Sequence, residues 1–157
     1  MPPTPLHLGL GILTCKALPR MGCGAIIAGS ILPDIEPGTV ILLGLASRHH
    51  GPLHTVLAAL LLGWAAGVLG WLVWSRLGLP LGAGGIVWAG AGGVAGWLGH
   101  VLLDSPLYRD ITPFWPVTGE NPLYMALGGR TVWAVWLAST ILTIWGLAWL
   151  LARVRSQ

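Results

Sequence analysis

Apolar positions fill this chain in long runs, and its few ionisable side chains fall between them. Three runs contain no Asp, Glu, Lys, Arg or His and are long enough to cross a membrane: Thr55 to Ser75 with 21 residues, Leu77 to Gly99 with 23, and Thr131 to Ala152 with 22. About 20 residues rising 1.5 Å each suffice for the hydrocarbon core. Pro52, favoured at a first helical position, predicts a first long helix over 53–75. Pro80 and Gly82 delay the second, which is expected over 83–104 and so past His100. The third is expected over 131–152. Ahead of these, Met21 to Pro33 and Pro37 to Ser47 are apolar but too short to cross. Short helices are predicted over 5–18, 22–32 and 38–46, half-spanning or re-entrant, a form that needs shielding by protein or a wet cavity. Residues 105–130 form the long polar connection, and Pro106, Pro113, Pro116 and Pro122 make it a stiff cap. The fold class is an all-α integral membrane protein: three long transmembrane helices and short N-terminal helices, in one domain over 1–157, around a site near one membrane face.

Composition agrees. Hydrophobic residues make up 55% of the 157 and charged residues 8%, against about a quarter charged in soluble chains. Eight basic and five acidic side chains give +3, too little for a phosphate-tracking stripe, so nucleic acid is excluded as a partner. Cys15 and Cys23 form no CxxC motif and read as packing residues. No signal peptide is expected, because Met1-Pro2-Pro3 lacks a basic start. Trp71, Trp74, Trp133, Trp136, Trp145 and Trp149 lie beside Arg76, Arg130 and Arg153, as an interfacial belt does. Gly85, Ala89, Gly92, Gly93 and Gly96 form a small-residue stripe that lets another helix approach, either the chain's own or that of a homo-oligomer through helix 83–104.

Polar residues are costly in so apolar a chain, so their placement carries the chemistry. With the chain run up and down through the membrane, the histidines and acids fall at element ends on one side. His100 and Asp104, four apart, share a helical face and are either two ligands of one cation or a plain hydrogen-bonded pair. Pro33-Asp34-Ile35-Glu36-Pro37-Gly38 has the residues of a turn, yet a turn does not need two carboxylates beside a membrane. His49-His50-Gly51-Pro52-Leu53-His54 places three histidines in six residues, which packing does not account for. On a continuous helix His50 and His54 share a face; with a start at Pro52, either His49 or His50 can point inward with His54. With His7, these groups make a nitrogen and oxygen set suited to Zn²⁺, Mn²⁺ or Fe²⁺ and large enough for two ions. A histidine proton relay is the other reading.

Thr4-Pro5-Leu6-His7-Leu8-Gly9, Leu32-Pro33-Asp34-Ile35-Glu36, the stretch from His49 to Thr55, and Gly99-His100-Val101-Leu102-Leu103-Asp104-Ser105 resemble, in this order, the YdjM-like family of inner-membrane metal-dependent hydrolases. The loop from Tyr108 to Pro116, followed by Asn121-Pro122, is similar to the segment after the His-x-x-x-Asp motif there. The resemblance implies that His7, Asp34, His49, His54, His100 and Asp104 hold the metal. Where the family usually reads Pro-Asp-x-Asp and His-Arg-Gly-x-Thr-His-Ser, this chain has Glu36, His50, Leu53 and Thr55. Glu36 keeps a carboxylate one methylene longer, and His50 replaces a fixed cation with a further imidazole. The family is in turn similar to the zinc phospholipase C and P1 nuclease group, an analogy that does not fix function.

The expected function is a membrane-embedded hydrolase using one or two divalent ions, zinc first and manganese or iron as alternatives, on a phosphoester or pyrophosphate of a membrane lipid. Such ions lower the pKa of a bound water and clamp phosphoryl oxygens. Asp34 and Glu36 are the candidate catalytic carboxylates, Glu36 as bridging ligand or general base. Glu36, His50 and Asp110 are candidate additional ligands or supports for a ligand. Arg109 and Arg130 are candidates for a substrate phosphate, against the plainer role of interfacial anchors. One competing class is a metal or proton carrier, which requires ionisable residues at depth, whereas Thr55 to Ser75 and Thr131 to Ala152 offer only hydroxyls. Another is a structural protein with a vestigial site. Lys16, Arg20, Arg76, Arg153 and Arg155, set against Arg48, Arg109 and Arg130, place the cluster on the extracytoplasmic side of the inner (plasma) membrane.

Overall fold

The computed structural model describes residues 5–45, 50–78 and 82–155, and no strand occurs among them. Six α-helices follow one another: α1 (Pro5–Ala17), α2 (Cys23–Ile31), α3 (Ile35–Leu42), α4 (Val56–Arg76), α5 (Ile86–Asp104) and α6 (Gly128–Arg155). Single 3-10 turns occupy Pro19–Met21, Leu32–Asp34 and Pro52–His54.

Among the described residues, four helical runs, not the expected three, are long and apolar enough to cross a membrane: Cys23–Leu42, Val56–Arg76, Ile86–Asp104 and Gly128–Trp149. The additional one joins α2 to α3. Ile31, Leu32, Asp34 and Ile35 keep right-handed helical dihedrals through the 3-10 turn, so the chain does not break there. Asp34 and Glu36 interrupt the apolar run in sequence, which is why separate helices over 22–32 and 38–46 are expected. Helix α3 starts at Ile35 and ends at Leu42; the residues around 46 lie outside the described ones.

Other boundaries shift by local causes. Thr55 caps α4, its hydroxyl accepting the Ala58 N–H at 3.0 Å, so α4 begins at Val56 and Pro52 opens a separate turn. Helix α5 begins at Ile86 instead of 83, and α6 extends beyond 131–152 at both ends, shortening the cap to 105–127. Helix α1 has 13 residues and rises only about 20 Å.

Helices α2, α4 and α5 pack against one another, while α1 packs on α2 and α6 packs on α1. Glycines set these crossings. A Cβ on Gly93 would overlap the Gly63 carbonyl of α4, one on Gly96 the Ile26 carbonyl of α2, and one on Gly29 the Gly93 carbonyl. The stripe on α5 therefore meets α2 and α4 of the same chain. Cys15 and Cys23 are buried with Ile26 and Ile27, with Trp74 and Trp149 against them; these two tryptophans pack inward instead of only marking an interface. A second cluster of Ala58, Ala59, Ala66, Trp97 and Val101 joins α4 to α5. Leu42, Leu61, Val73, Leu137 and Ile144 are exposed on the outer faces, the surface that acyl chains cover.

Candidate metal centre

Five expected residues converge where α1, the α2–α3 junction, the Pro52–His54 turn and the end of α5 meet. His7, His54, His100 and Asp104 are buried, and Asp34 is half-buried. The His7 and His100 rings stack with centroids 3.8 Å apart.

Backbone and carboxylate acceptors decide which ring nitrogens carry protons. The Ser30 carbonyl can only accept, so His100 Nδ1–H donates to it at 2.8 Å, and in the neutral, ligating form of the ring Nε2 is bare. His54 Nδ1–H donates to Glu36 Oε2 at 3.3 Å, which leaves its Nε2 bare too. These two bare nitrogens face each other at 3.3 Å. Asp34 Oδ1 and Asp104 Oδ2 each lie 3.5 Å from His100 Nε2. Four acceptors thus share one hollow. Asp34, His54, His100 and Asp104 each offer one ligand atom, all within 4.8 Å of one another, and can hold a metal ion.

A second contact repeats the pattern. His7 Nε2–H donates to Asp104 Oδ1 at 2.9 Å, leaving Nδ1 bare at 3.7 Å from Asp34 Oδ2. Both atoms are buried and lack a hydrogen-bond partner among the described residues. Buried acceptors left facing one another are costly, and a cation between them removes the cost. The donor set fits a divalent ion that takes imidazole and carboxylate, and imidazoles anchored through their other nitrogen are the usual ligands of such ions.

The remaining candidates stand around this centre. Glu36 Oε2 accepts from Gly51 N–H at 2.8 Å and Leu53 N–H at 3.2 Å as well as from His54; it holds the turn that presents His54. A Cβ on Gly51 would meet the end of this carboxylate and require it to shift. Trp97 Nε1–H donates to the Leu53 carbonyl at 2.8 Å and ties the same turn to α5. His50 is anchored outside the hollow, its Nδ1–H and backbone N–H donating to Asp110 at 3.0 and 3.1 Å, with its ring edge-on to His54 and against Tyr108. Asp110 is thus brought to His50. His49 lies outside the described residues. Arg109 and Arg130 are exposed and are not brought to the cluster. Ser30 and Trp97 are not among the expected residues; Ser30 acts through its backbone, which carries no sequence signal.

The whole chain, over residues 1–156, matches the YdjM inner membrane protein family. It belongs to that family. No curated protein and no solved structure matches it. Membership in the YdjM family and the four apolar runs make this a multi-pass inner-membrane protein.

Charges outside the spans follow the geometry of this YdjM-family chain. Burial holds the His54 imidazole below its ordinary range; the bond to Glu36 opposes this, and the neighbouring His100 and His50 reinforce it. His54 is therefore neutral near pH 7, the ligating form. For Asp110, burial raises the pKa, but the bonds from His50 outweigh it and the net shift is downward. Burial and the nearby Asp104, Asp34 and Asp110 push the Tyr108 hydroxyl upward, so it stays protonated.

Proposed function

We propose that this protein is a membrane-embedded hydrolase that uses one or two divalent ions on a phosphoester or pyrophosphate of a membrane lipid. The observation that carries the reading is the set of bare acceptors, His54 Nε2, His100 Nε2 and carboxylate oxygens of Asp34 and Asp104, facing one another in one hollow. His7, Asp34, His54, His100 and Asp104 would hold the ions, zinc first, with manganese or iron as alternatives. A divalent ion bound there supplies an activated water and a clamp for phosphoryl oxygens near neutral pH.

The chain's own residues set up that chemistry. Asp34 offers Oδ1 to the hollow and Oδ2 toward His7, so it would serve as a ligand on both sides, in preference to Glu36. Glu36 and the Ser30 carbonyl fix the tautomers of His54 and His100. Asp110 holds His50 against His54, and Arg109, exposed beside Asp110 in the cap, is the candidate for a substrate phosphate, a role suited to guanidinium. The centre belongs on the extracytoplasmic side, because Lys16, Arg20, Arg76 and Arg155 lie at the helix ends away from it.

Elemental analysis of detergent-purified protein beside a double variant, His54→Ala with His100→Ala, tests the reading. One or two equivalents of metal, lost in the variant together with hydrolysis of lipid phosphoesters, are expected. Absence of metal after reconstitution with each ion would transfer the cluster to a proton relay, and metal without turnover on any phospholipid would leave it a carrier or a vestigial site.

A further inference from the structure

A cavity of about 630 Å³ opens in the cap, lined by Arg109, Asp110, Thr112, Glu120, Asn121 and Tyr124. That is the size of a small-ligand site. Its charges are unusual for a chain with eight basic and five acidic side chains. Asp110 is engaged by His50, but Arg109 and Glu120, of opposite sign, make no ion pair among the described residues, with each other or with a third group. A plain phosphate would satisfy Arg109 and be repelled by Glu120 and Asp110; a plain amine would do the reverse. A ligand with a phosphate and a protonated amine a few bonds apart satisfies both, and the aromatic wall of Tyr124 suits an ammonium group.

The cavity is built in advance. Asn121 Nδ2 donates to the Ser105 and Tyr108 carbonyls, each at 2.8 Å, and its Oδ1 accepts from Leu123 N–H at 3.1 Å, which clamps the wall between Arg109 and Tyr124. The same loop exposes Phe114, Trp115, Val117 and Met125. It connects the end of α5 to the start of α6, both membrane-spanning runs, so these apolar side chains lie at the interface, where acyl chains begin.

We propose that this cavity takes the zwitterionic, amine-bearing headgroup of a phospholipid, with Arg109 on the phosphate and Glu120 on the ammonium. This deepens the lipid-hydrolase reading by naming a substrate class and rests on it only for the fate of the bound lipid, since the binding itself needs no metal. Calorimetric titration of the maltoside-solubilised protein with dihexanoyl phosphatidylethanolamine, dihexanoyl phosphatidylglycerol and O-phosphoethanolamine tests it. The ethanolamine lipid is expected to bind about tenfold more tightly than the glycerol lipid, a gap closed by Glu120→Gln and restored in part by Glu120→Asp, while Arg109→Gln weakens both lipids. Equal affinities in the wild type, or a preference that survives Glu120→Gln, would overturn the proposal. O-phosphoethanolamine binding as tightly as the lipid would overturn the lipid assignment in favour of a soluble phosphoamine. Metal content measured on the same samples separates the two readings. A metal-free wild type that keeps the preference defeats the hydrolase and leaves the cavity; a metal-loaded wild type without preference defeats the cavity alone.

Discussion

One oxygen of Glu36 accepts from two amides and an imidazole, so removing it strands three donors at once. Glu36→Ala is expected to destabilise the protein by about 1–3 kcal/mol in detergent unfolding, with Glu36→Gln milder because it keeps an acceptor. A Glu36→Ala protein as stable as wild type but without metal would instead make Glu36 a ligand. Asp110 gives a pH signature. Its folded pKa lies below the ordinary Asp value of about 3.9, so its contribution to stability is full above that value and is lost as pH falls through the lowered one. Below about pH 4 the stability gap between wild type and Asp110→Asn should close; a gap that stays unchanged down to about pH 2 would refute the pairing with His50. At this scale the sequence is most legible where a side chain is costly: His7, Asp34, His54, His100 and Asp104 stand out because an apolar chain has little reason to carry them. The Ser30 carbonyl does not stand out, because every residue has one.

Helices α4 and α5 cross where neither backbone carries a side chain in the way. Gly93→Ala forces a methyl into the Gly63 carbonyl and the Gly67 backbone, and helix separation of that kind costs about 1–3 kcal/mol. A methyl on Gly38, in α3, would meet nothing within 4 Å, so Gly38→Ala should be neutral or stabilising by roughly 0.5–1 kcal/mol. Thermal unfolding of the two variants in one detergent checks the contrast; equal effects would mean that the α4–α5 contact does not limit stability. The existence of α4, α5 and α6 is legible from charge-free runs alone. The Cys23–Leu42 run is not, because its two acids are at home inside a helix whose neighbours supply His100 and the His54 turn as partners. Helix starts are the least legible feature, since Thr55 takes the cap of α4 although Pro52 predicts the start.

Across the whole molecule, among the described residues, Arg109 and Arg130 lie at the centre's own end, against Lys16, Arg20, Arg76 and Arg155 at the end away from it. Lys16 there sits 4.3 Å over the Trp145 ring and 5.5 Å over Trp149, fastening α1 to α6, and the Arg20 carbonyl accepts from Gly84 N–H at 2.8 Å, bringing the α4–α5 connection to the same end. This end should face the cytoplasm. Glu120→Cys in intact spheroplasts is expected to react with a membrane-impermeant maleimide, Cys15 and Cys23 being buried; labelling only after lysis would invert the topology. The side is legible in sequence only as a difference of a few charges, whereas the convergence of the helix ends on one centre becomes visible once α1, too short to cross, is seen to carry His7 to it.

Pro33 touches none of this chemistry directly, yet it shapes the turn beside it. It has no N–H to give, and the turn it occupies pairs Ile35 N–H with the Leu32 carbonyl, the shorter 3-10 spacing. The Ser30 carbonyl beside that turn is taken by His100. With alanine at 33 the α pitch can continue, and the Asp34 amide would come to share that carbonyl. A carbonyl has two lone pairs, so His100 would keep its acceptor, but in a divided bond that holds the imidazole less firmly. An imino acid in a membrane helix thereby keeps one carbonyl undivided for a ring on the neighbouring helix.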